Sequence, residues 1–179
     1  MYVCDEAEVD LTQVSVGYKS VFHPKAAVEI YPSSPSSSPP YVTIGERNIV
    51  DDMAIISLTI TAEQGTITIG DNNLFESGCL IKAKSIGNNN WFEPKCVVGE
   101  GAVIGNCCVI GAGVEIPPLT VVNDNAILVR LPDGRIIQRE QKEYARKAKQ
   151  MLQDKYIDAF TESTSPSYLP RNHRMKTAP

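Results

Sequence analysis

The chain has 179 residues, 42% of them hydrophobic, and a formal net charge of −4. This length supports one hydrophobic core and leaves no room for a second domain of ordinary size. The negative balance argues against nucleic-acid binding, which depends on a basic patch that releases phosphate counterions. The first residues lack the features of a signal peptide, and no apolar run is long enough for a membrane span. We therefore expect a soluble, intracellular protein with no membrane insertion.

An aliphatic or aromatic residue recurs every six positions along most of the chain, usually with a small or short polar residue two places before it. A period of six does not fit a helix, but it fits short strands that are separated by turns. Three such hexads make one triangular coil, so the pattern predicts an all-β solenoid, a parallel β-helix of hexapeptide repeats. The period is carried by Val16, Phe22, Val28, Ile44, Val50, Ile56, Ile69, Phe75, Ile81, Ile86, Phe92, Val98, Ile104, Ile110, Ile116 and Val122.

The period is interrupted only after the third hexad of a coil. It is lengthened after Val28 and after Ile56, and shortened by one residue after Ile81. We therefore expect a β-helix over 1–131 with loop insertions at 31–41 and 57–68, which leave one corner of adjacent coils and form a raised edge. The Pro/Ser-rich first insertion favours an extended spacer, and the second favours a short hairpin.

The second hexads predict both a buried ladder and an exposed stripe. Asn48, Asn73 and Asn90 fall at equivalent turns, so they should stack from coil to coil and hydrogen-bond the next coil. The outward side chains of the same strands form an apolar stripe, which marks a candidate partner-binding surface with Trp91 as its anchor. The stripe consists of Val21, Ile49, Leu74, Trp91 and Val109.

An acidic ladder of Asp51, Glu76 and Glu93, with His23 in the equivalent position one coil earlier, runs beside that stripe. General acid–base catalysis needs a pocket that shifts carboxyl pKa values, which a flat outer face lacks. We therefore interpret the ladder as a solvated face or as a docking site for Lys and Arg. The third hexads add a second outward apolar stripe of Ala27, Ile55, Leu80 and Val97, whereas the first hexads present mostly Ser, Thr and Gly.

After the turn at 132–134 the apolar period becomes that of a helix, from about Ile137 to Phe160, and we expect region 132–160 to pack as a C-terminal helix on the β-helix. One helix can cover one apolar face and leave the other for a partner; the alternative is that helix and loops cover both. The polar tail 161–179 is expected to be disordered, with Ser165 before a proline as a candidate phosphosite. The predicted inward stripe is Tyr144, Ala148, Met151, Leu152, Tyr156, Ala159 and Phe160.

The chain is poor in catalytic and metal-binding residue types. It has two histidines, of which His173 lies in the tail and His23 at an outward turn. Hexapeptide acyltransferases and γ-class carbonic anhydrases both depend on histidine. Cys79, Cys96 and Cys108 occupy small inward positions without metal-site spacing, so packing accounts for them. These features predict a non-enzymatic protein without a metal or cofactor.

Four blocks of the repeat resemble the dynactin subunit 6 family: residues 22–26, 44–51, 69–79 and 86–93. The resemblance covers roughly Val14 to Val122 and implies a left-handed coil. It also implies a non-catalytic subunit of the dynactin pointed-end complex, which supports dynein-based microtubule transport and attaches cargo such as endosomes. The implied partners are dynactin subunit 5, a pointed-end actin-related protein and the large dynactin scaffold subunit, and the implied location is cytoplasmic and cytoskeletal. The alternative is a hexapeptide enzyme, such as a γ-carbonic anhydrase-like protein or an acyltransferase.

Overall fold

The computed structural model describes residues 1–32, 41–61 and 65–162. The chain folds as a parallel β-helix followed by one α-helix, as the repeat predicts, and the coil is left-handed, as the family resemblance implies. Strands are numbered in chain order, and each sheet is named after the hexad that builds it. The second-hexad sheet contains β1 (Tyr2–Val3), β4 (Val21–Phe22), β7 (Ile49–Val50), β10 (Leu74–Phe75), β13 (Trp91–Phe92), β16 (Val109–Ile110), β19 (Ala126–Arg130) and β20 (Ile136–Glu140), in that spatial order.

The other two sheets close the triangular cross-section. The third-hexad sheet contains β2 (Glu8–Val9), β5 (Ala27–Pro32), β8 (Ile55–Ile60), β11 (Leu80–Ile81), β14 (Val97–Val98) and β17 (Glu115–Ile116). The first-hexad sheet contains β3 (Val14–Val16), β6 (Val42–Ile44), β9 (Ile67–Ile69), β12 (Ser85–Ile86), β15 (Val103–Ile104) and β18 (Val121–Val122). From β1 to β19 each strand pairs with its equivalent in a neighbouring coil, so consecutive strands of the chain lie on different faces; β19 and β20 instead form a hairpin in one sheet. The final element is α1 (Glu143–Glu162).

The core is a single column of inward side chains along the axis. Phe22, Val50, Phe75, Phe92 and Ile110 are each 0% exposed, and the rings of Phe75 and Phe92 stack with centroids 4.8 Å apart. Fully burying an aliphatic or phenyl side chain contributes about 1.5–3 kcal/mol. The six-residue period of the sequence is therefore the period of the core.

Two ladders of side-chain oxygens bind successive coils along the axis. In the buried ladder, the backbone N–H of Asn73 donates to Asn48 Oδ1 at 2.9 Å, and that of Asn90 donates to Asn73 Oδ1 at 2.9 Å. Ser20 begins the series and the N–H of Cys108 ends it. The predicted ladder thus exists, although its bonds run from side chain to backbone rather than between amide groups.

A second ladder, which the sequence analysis did not predict, lies at the exposed corner after the first hexads. Backbone N–H groups of one coil donate to carboxylate or amide oxygens of the next, as Asp71 N–H does to Asn88 Oδ1 at 2.7 Å. Each oxygen lies beside a glycine of the preceding coil: a Cβ added to Gly70 would collide with Asn88 Oδ1 and would lie 2.7 Å from the Gly87 carbonyl oxygen. Glycine at this corner is therefore required by close approach between coils.

The insertions differ from the expected loops. Tyr31 and Pro32 still belong to β5, and Ser57–Ile60 are not a hairpin, because they extend β8 in parallel pairing with Glu29–Pro32 of β5. Residues 33–40 and 62–64 lie outside the described residues. Where they are described, the starts of the two insertions pair with one another, Tyr31 with Thr59 and Pro32 with Ile60, as a two-stranded extension of the third-hexad sheet.

The helix also begins later than predicted, at Glu143 instead of about Ile137. Residues Ile136–Glu140 form β20, which pairs antiparallel with β19 through a turn in which Gly134 has a φ of 86°. The cause is that β19 is the last parallel strand, and a hairpin satisfies the backbone groups along its outer edge. Residues 161–162 belong to α1, and the predicted tail from 163 onward, including Ser165, lies outside the described residues.

We expect Asn73→Ala to lower the free energy of unfolding by about 1–3 kcal/mol, because it leaves the buried N–H of Asn90 without its acceptor. Urea unfolding followed by circular dichroism measures the loss. The matched control is Asn123→Ala, since Asn123 is exposed and its change should stay within about 0.5 kcal/mol. Equal effects of the two substitutions would show that the ladder does not stabilise the coils.

Candidate functional site

Helix α1 lies on the second-hexad sheet and is held there by charged residues. Lys19 Nζ lies 2.9 Å from Asp158 Oδ1, and an Arg47 guanidinium nitrogen lies 2.7 Å from Asp154 Oδ1. Lys19 and Arg47 have φ values of 55° and 56° at equivalent corners, just before the buried ladder. These left-handed corners direct both cations to the same side of the β-helix. Both corners therefore help to hold the helix on this sheet.

The helix presents a different face from the predicted one. Tyr144, Met151 and Leu152 are 73%, 58% and 63% exposed, whereas Ile157, which was outside the predicted stripe, is 0% exposed. Phe160 does contact the sheet, with its ring 5.6 Å from that of His23. The prediction is wrong for most of the stripe, because the face that packs on the sheet carries Lys149, Ile157 and Phe160, with Asp154 and Asp158 beside the cationic corners.

The helix covers most of the predicted apolar stripe. Val21, Ile49 and Val109 are 0%, 3% and 7% exposed, so the expectation that they form an open surface is wrong. Leu74 and Trp91 remain half-buried beside the helix. The physical reason is that α1 removes this apolar surface from water within the chain, and what remains of the predicted surface is a groove.

The groove between α1 and the sheet has a volume of about 350 Å³. Lys149 Nζ lies 4.4 Å from the centroid of the Trp91 ring, a cation–π contact. Burial lowers the pKa of Lys149 to about 8, with the carboxylates of Glu93 and Glu76 opposing the shift. The groove is lined by Ile49, Asp51, Leu74, Glu76, Trp91, Lys149, Leu152, Gln153 and Tyr156.

The acidic ladder is not a row of equivalent, solvated carboxylates. Asp51 Oδ2 accepts the Ser77 hydroxyl at 2.8 Å, and Glu93 Oε2 accepts the N–H of Ala112 at 3.0 Å. Burial raises the pKa of Glu76. The Trp91 indole opposes this rise, although its Nε1 does not reach hydrogen-bond geometry with any described residue. Two of the three carboxylates therefore support neighbouring coils, and Glu76 faces the groove.

His23, Asp51 and Asp52 form a cluster that the sequence analysis did not single out. One potential ligand atom from each lies within 4.8 Å of the others. Burial lowers the pKa of His23, and its Nε2 lies 2.9 Å from the Tyr156 hydroxyl. A metal ion would compete with that contact for the imidazole. The arrangement fits an imidazole ring that packs against α1. In the sequence, the signal for this cluster is that His23 and Asp51 occupy equivalent positions on successive coils.

The cysteines occupy packing positions. Cys79 and Cys96 are 1% and 0% exposed at equivalent turns of adjacent coils. A hydrogen bond with Cys96, together with burial, raises the pKa of the Cys79 thiol. A protonated, buried thiol is a poor nucleophile and a poor metal ligand. This agrees with the packing role expected from the sequence.

The third-hexad sheet carries the second apolar stripe. Its outward residues Ala27, Ile55, Leu80 and Val97 are successive partners across paired strands, so they form one continuous row. Ala27 is buried and the other three are half-buried. The contacts that the structure describes for α1 lie on the second-hexad sheet and its corners, so this row is the apolar face that the helix does not cover. No helix among the described residues is long and apolar enough to cross a membrane.

Comparison with known proteins agrees with this architecture. A match to the bacterial transferase hexapeptide (six repeats) family spans residues 84–118. Dynactin subunit 6 of Nematostella vectensis is 32% identical over 182 aligned residues, covering 97% of this chain and 88% of that protein. The chain belongs to the dynactin subunit 6 family. Dynactin subunit 6 of Xenopus tropicalis is 31% identical, with coverage of 78% and 69%.

Solved structures support the same fold for this dynactin subunit 6 family member. A hexapeptide transferase family protein from Anaplasma phagocytophilum gives a TM-score of 0.54 at 16% identity, covering 89% of this chain and 90% of that one. A UDP-N-acetylglucosamine O-acyltransferase from Moraxella catarrhalis gives 0.51 at 14% identity, with coverage of 91% and 86%. At these identities the likeness concerns the β-helix alone.

We expect Arg47→Ala to lower the free energy of unfolding by about 0.5–1 kcal/mol, since it removes a partly buried cation that faces both Asp154 and Asp158. Urea unfolding measures the change, and limited proteolysis within α1 should become faster. Arg135→Ala, which removes a guanidinium at an exposed turn, is the control and should leave α1 cleavage unchanged. Identical cleavage rates for the two variants would contradict the docking role of Arg47.

The low pKa of Lys149 predicts a pH dependence of stability. Between about pH 8 and its ordinary pKa of 10.5, the unfolded chain binds a proton at Lys149 that the folded chain has lost. The free energy of unfolding of the wild type should therefore rise with pH across this window, relative to that of Lys149→Gln. Denaturant titrations at several pH values measure the difference. The exposed Lys147→Gln serves as control, and a wild-type curve parallel to that of Lys149→Gln would refute the assignment.

Proposed function

We propose that this protein is a non-catalytic scaffold subunit of the dynactin pointed-end complex. In this role it supports dynein-based microtubule transport and the attachment of endosomal cargo in the cytoplasm. Its direct partners are dynactin subunit 5, a pointed-end actin-related protein and the large dynactin scaffold subunit. The observation that carries the proposal is 32% identity to a dynactin subunit 6 over 97% of the chain.

The chemistry of the described residues supports a scaffold. His23, the one histidine among them, packs against Tyr156 and Phe160, and burial lowers its pKa. The groove beside α1 contains a cation over an indole ring and a carboxyl with a raised pKa, but the nearby carboxylates of Asp51 and Glu93 are engaged in bonds between coils. A general base with access to a substrate does not follow from this arrangement.

The alternative is a hexapeptide enzyme, because the two solved structures with this fold are a hexapeptide transferase family protein and an O-acyltransferase. Those neighbours are at most 16% identical to this chain, and a fold supports many unrelated functions. An enzyme of this class needs a catalytic histidine or a metal site. Among the described residues, the cluster of His23, Asp51 and Asp52 would have to provide that site. The contact between His23 and Tyr156 argues against that use.

The apolar row of the third-hexad sheet is the partner face in this proposal. Ile55, Leu80 and Val97 lie on a flat parallel sheet and are only half-buried by their neighbours. Apolar residues in a continuous row on an outer face favour burial against another protein. A second hexapeptide β-helix presents a flat face of the same kind, which suits dynactin subunit 5. In this proposal the row, and not Trp91, is the anchor of the interface, because Lys149 lies over the Trp91 ring.

We expect Leu80→Glu to reduce co-purification of the dynactin subunits by at least about tenfold, because it places a carboxylate at the centre of the proposed interface. The measurement is affinity purification of the tagged protein from its own cells, with quantitative mass spectrometry. Val121→Glu is the matched control: Val121 is 65% exposed on the first-hexad sheet, and its change should leave recovery intact. Circular dichroism checks that both variants are folded. Unchanged recovery with Leu80→Glu would place the interface elsewhere, and recovery of the wild-type chain alone would reject the scaffold proposal.

A further inference from the structure

The β-helix has a step at the corner from which the insertions leave. Strands β5 and β8 pair over six residue pairs, whereas β8 and β11 pair over only two. Likewise, β6 and β9 pair over three residues and β9 and β12 over one. The coil of β7–β9 therefore projects beyond the next coil, because the chain after Ile81 takes a shorter path to Ile86.

The projecting part of β8 has an edge that faces the step. Ala27 N–H donates to the Ala54 carbonyl, on the β5 side, and Ile55 N–H donates to the Cys79 carbonyl, on the opposite side. The backbone groups of successive residues in a strand alternate between its two edges. Leu58 therefore bonds towards β5, while the N–H and C=O of Thr59 point towards the step. Among the described residues, no strand pairs with β8 on that side beyond Ile56.

A groove of about 350 Å³ occupies the step. Its floor is apolar, with Ile67 and Ala83 at 3% and 2% exposed. Thr59 lies along one wall, and Leu119, which is 80% exposed, lies on another. The remaining lining residues are Thr61, Lys82, Lys84, Glu100, Gly101 and Pro118.

The charge of the groove indicates the chemistry of its occupant. Lys82 and Lys84 are exposed on either side of the buried Ala83, so two cations flank the floor in a chain whose net charge is −4. Among the described residues that line the groove, Glu100 is the single carboxylate. An extended peptide with acidic side chains would complement the lysines, while its backbone could pair with the edge of β8.

We propose that an extended, acidic segment of a partner protein binds in this step and adds a strand to β8 at Thr59. Its carboxylates face Lys82 and Lys84, and an apolar side chain packs against Leu119. Strand addition to an exposed sheet edge obtains affinity from main-chain hydrogen bonds and specificity from flanking side chains. This inference does not depend on the dynactin assignment, since any partner with such a segment would satisfy it.

The test combines photo-cross-linking with a proline substitution. A photoreactive amino acid at Leu119 is introduced into the full-length protein in its own cells, and mass spectrometry identifies the joined peptide. We expect one contiguous segment of another protein, rich in Asp and Glu. Thr59→Pro removes the N–H that points to the step, which strand edges tolerate, and should reduce the cross-link by about tenfold or more. Thr59→Ala keeps the N–H and should leave the cross-link intact.

Further controls decide between occupants. Replacing Lys82 and Lys84 by Ala together should weaken the cross-link, and a photoreactive residue at Val121, outside the groove, should not capture the segment. Thermal unfolding of Thr59→Pro close to that of Thr59→Ala shows that the fold is kept. The inference fails if the cross-link joins this chain to itself, either within one molecule or between two copies. It also fails if Thr59→Pro has no effect beyond that of Thr59→Ala, or if Leu119 captures no more than Val121.

Discussion

The structure depends on hydrogen bonds that join each coil to the next through side-chain oxygens. A solenoid has few contacts between distant parts of its sequence, so its stability comes from each repeat and its interface with the neighbouring repeat. The buried series from Ser20 through Asn48, Asn73 and Asn90 fixes this interface at one corner. The residue before each member takes a left-handed conformation, as Lys19 and Arg47 do. The ladder thereby determines which side chains can reach α1.

The position of α1 then determines which apolar surface the protein presents. Asp154 and Asp158 bind the cationic corners, and Ile157 fills the contact between them. This packing covers most of the second-hexad stripe and leaves the third-hexad row outside the contacts of the helix. The step at the insertion corner has an independent origin, because it follows from one missing residue after Ile81 and from the longer pairing of β5 with β8.

Most of the fold was predictable, since a six-residue period is a local property of the sequence. The register of all three sheets, the asparagine ladder and the inward column of Phe22, Phe75 and Phe92 followed from it. The predicted β-helix begins at residue 1, but the six-residue period does not place the strands Tyr2–Val3 and Glu8–Val9 in it, because Val9 and Val16 are seven residues apart. The sequence pattern predicts a helix from about Ile137, where the structure has the strand Ile136–Glu140, because the partner strand β19 supplies hydrogen bonds that a local pattern does not contain.

The candidate site was less predictable because it depends on how α1 is rotated. The register correctly predicts which residues of the second-hexad strands point outward, namely Val21, Ile49, Leu74, Trp91 and Val109. Three of them, Val21, Ile49 and Val109, are nevertheless buried. An amphipathic pattern predicts that Leu152 and Met151 face inward, but the helix packs through Ile157 and places its acidic side chains at the two cationic corners. The most direct test of the scaffold account is native mass spectrometry of the complex carrying the tagged protein, purified from its own cells. The expected result is a particle that contains this chain together with dynactin subunits; a particle composed only of copies of this chain would contradict the account.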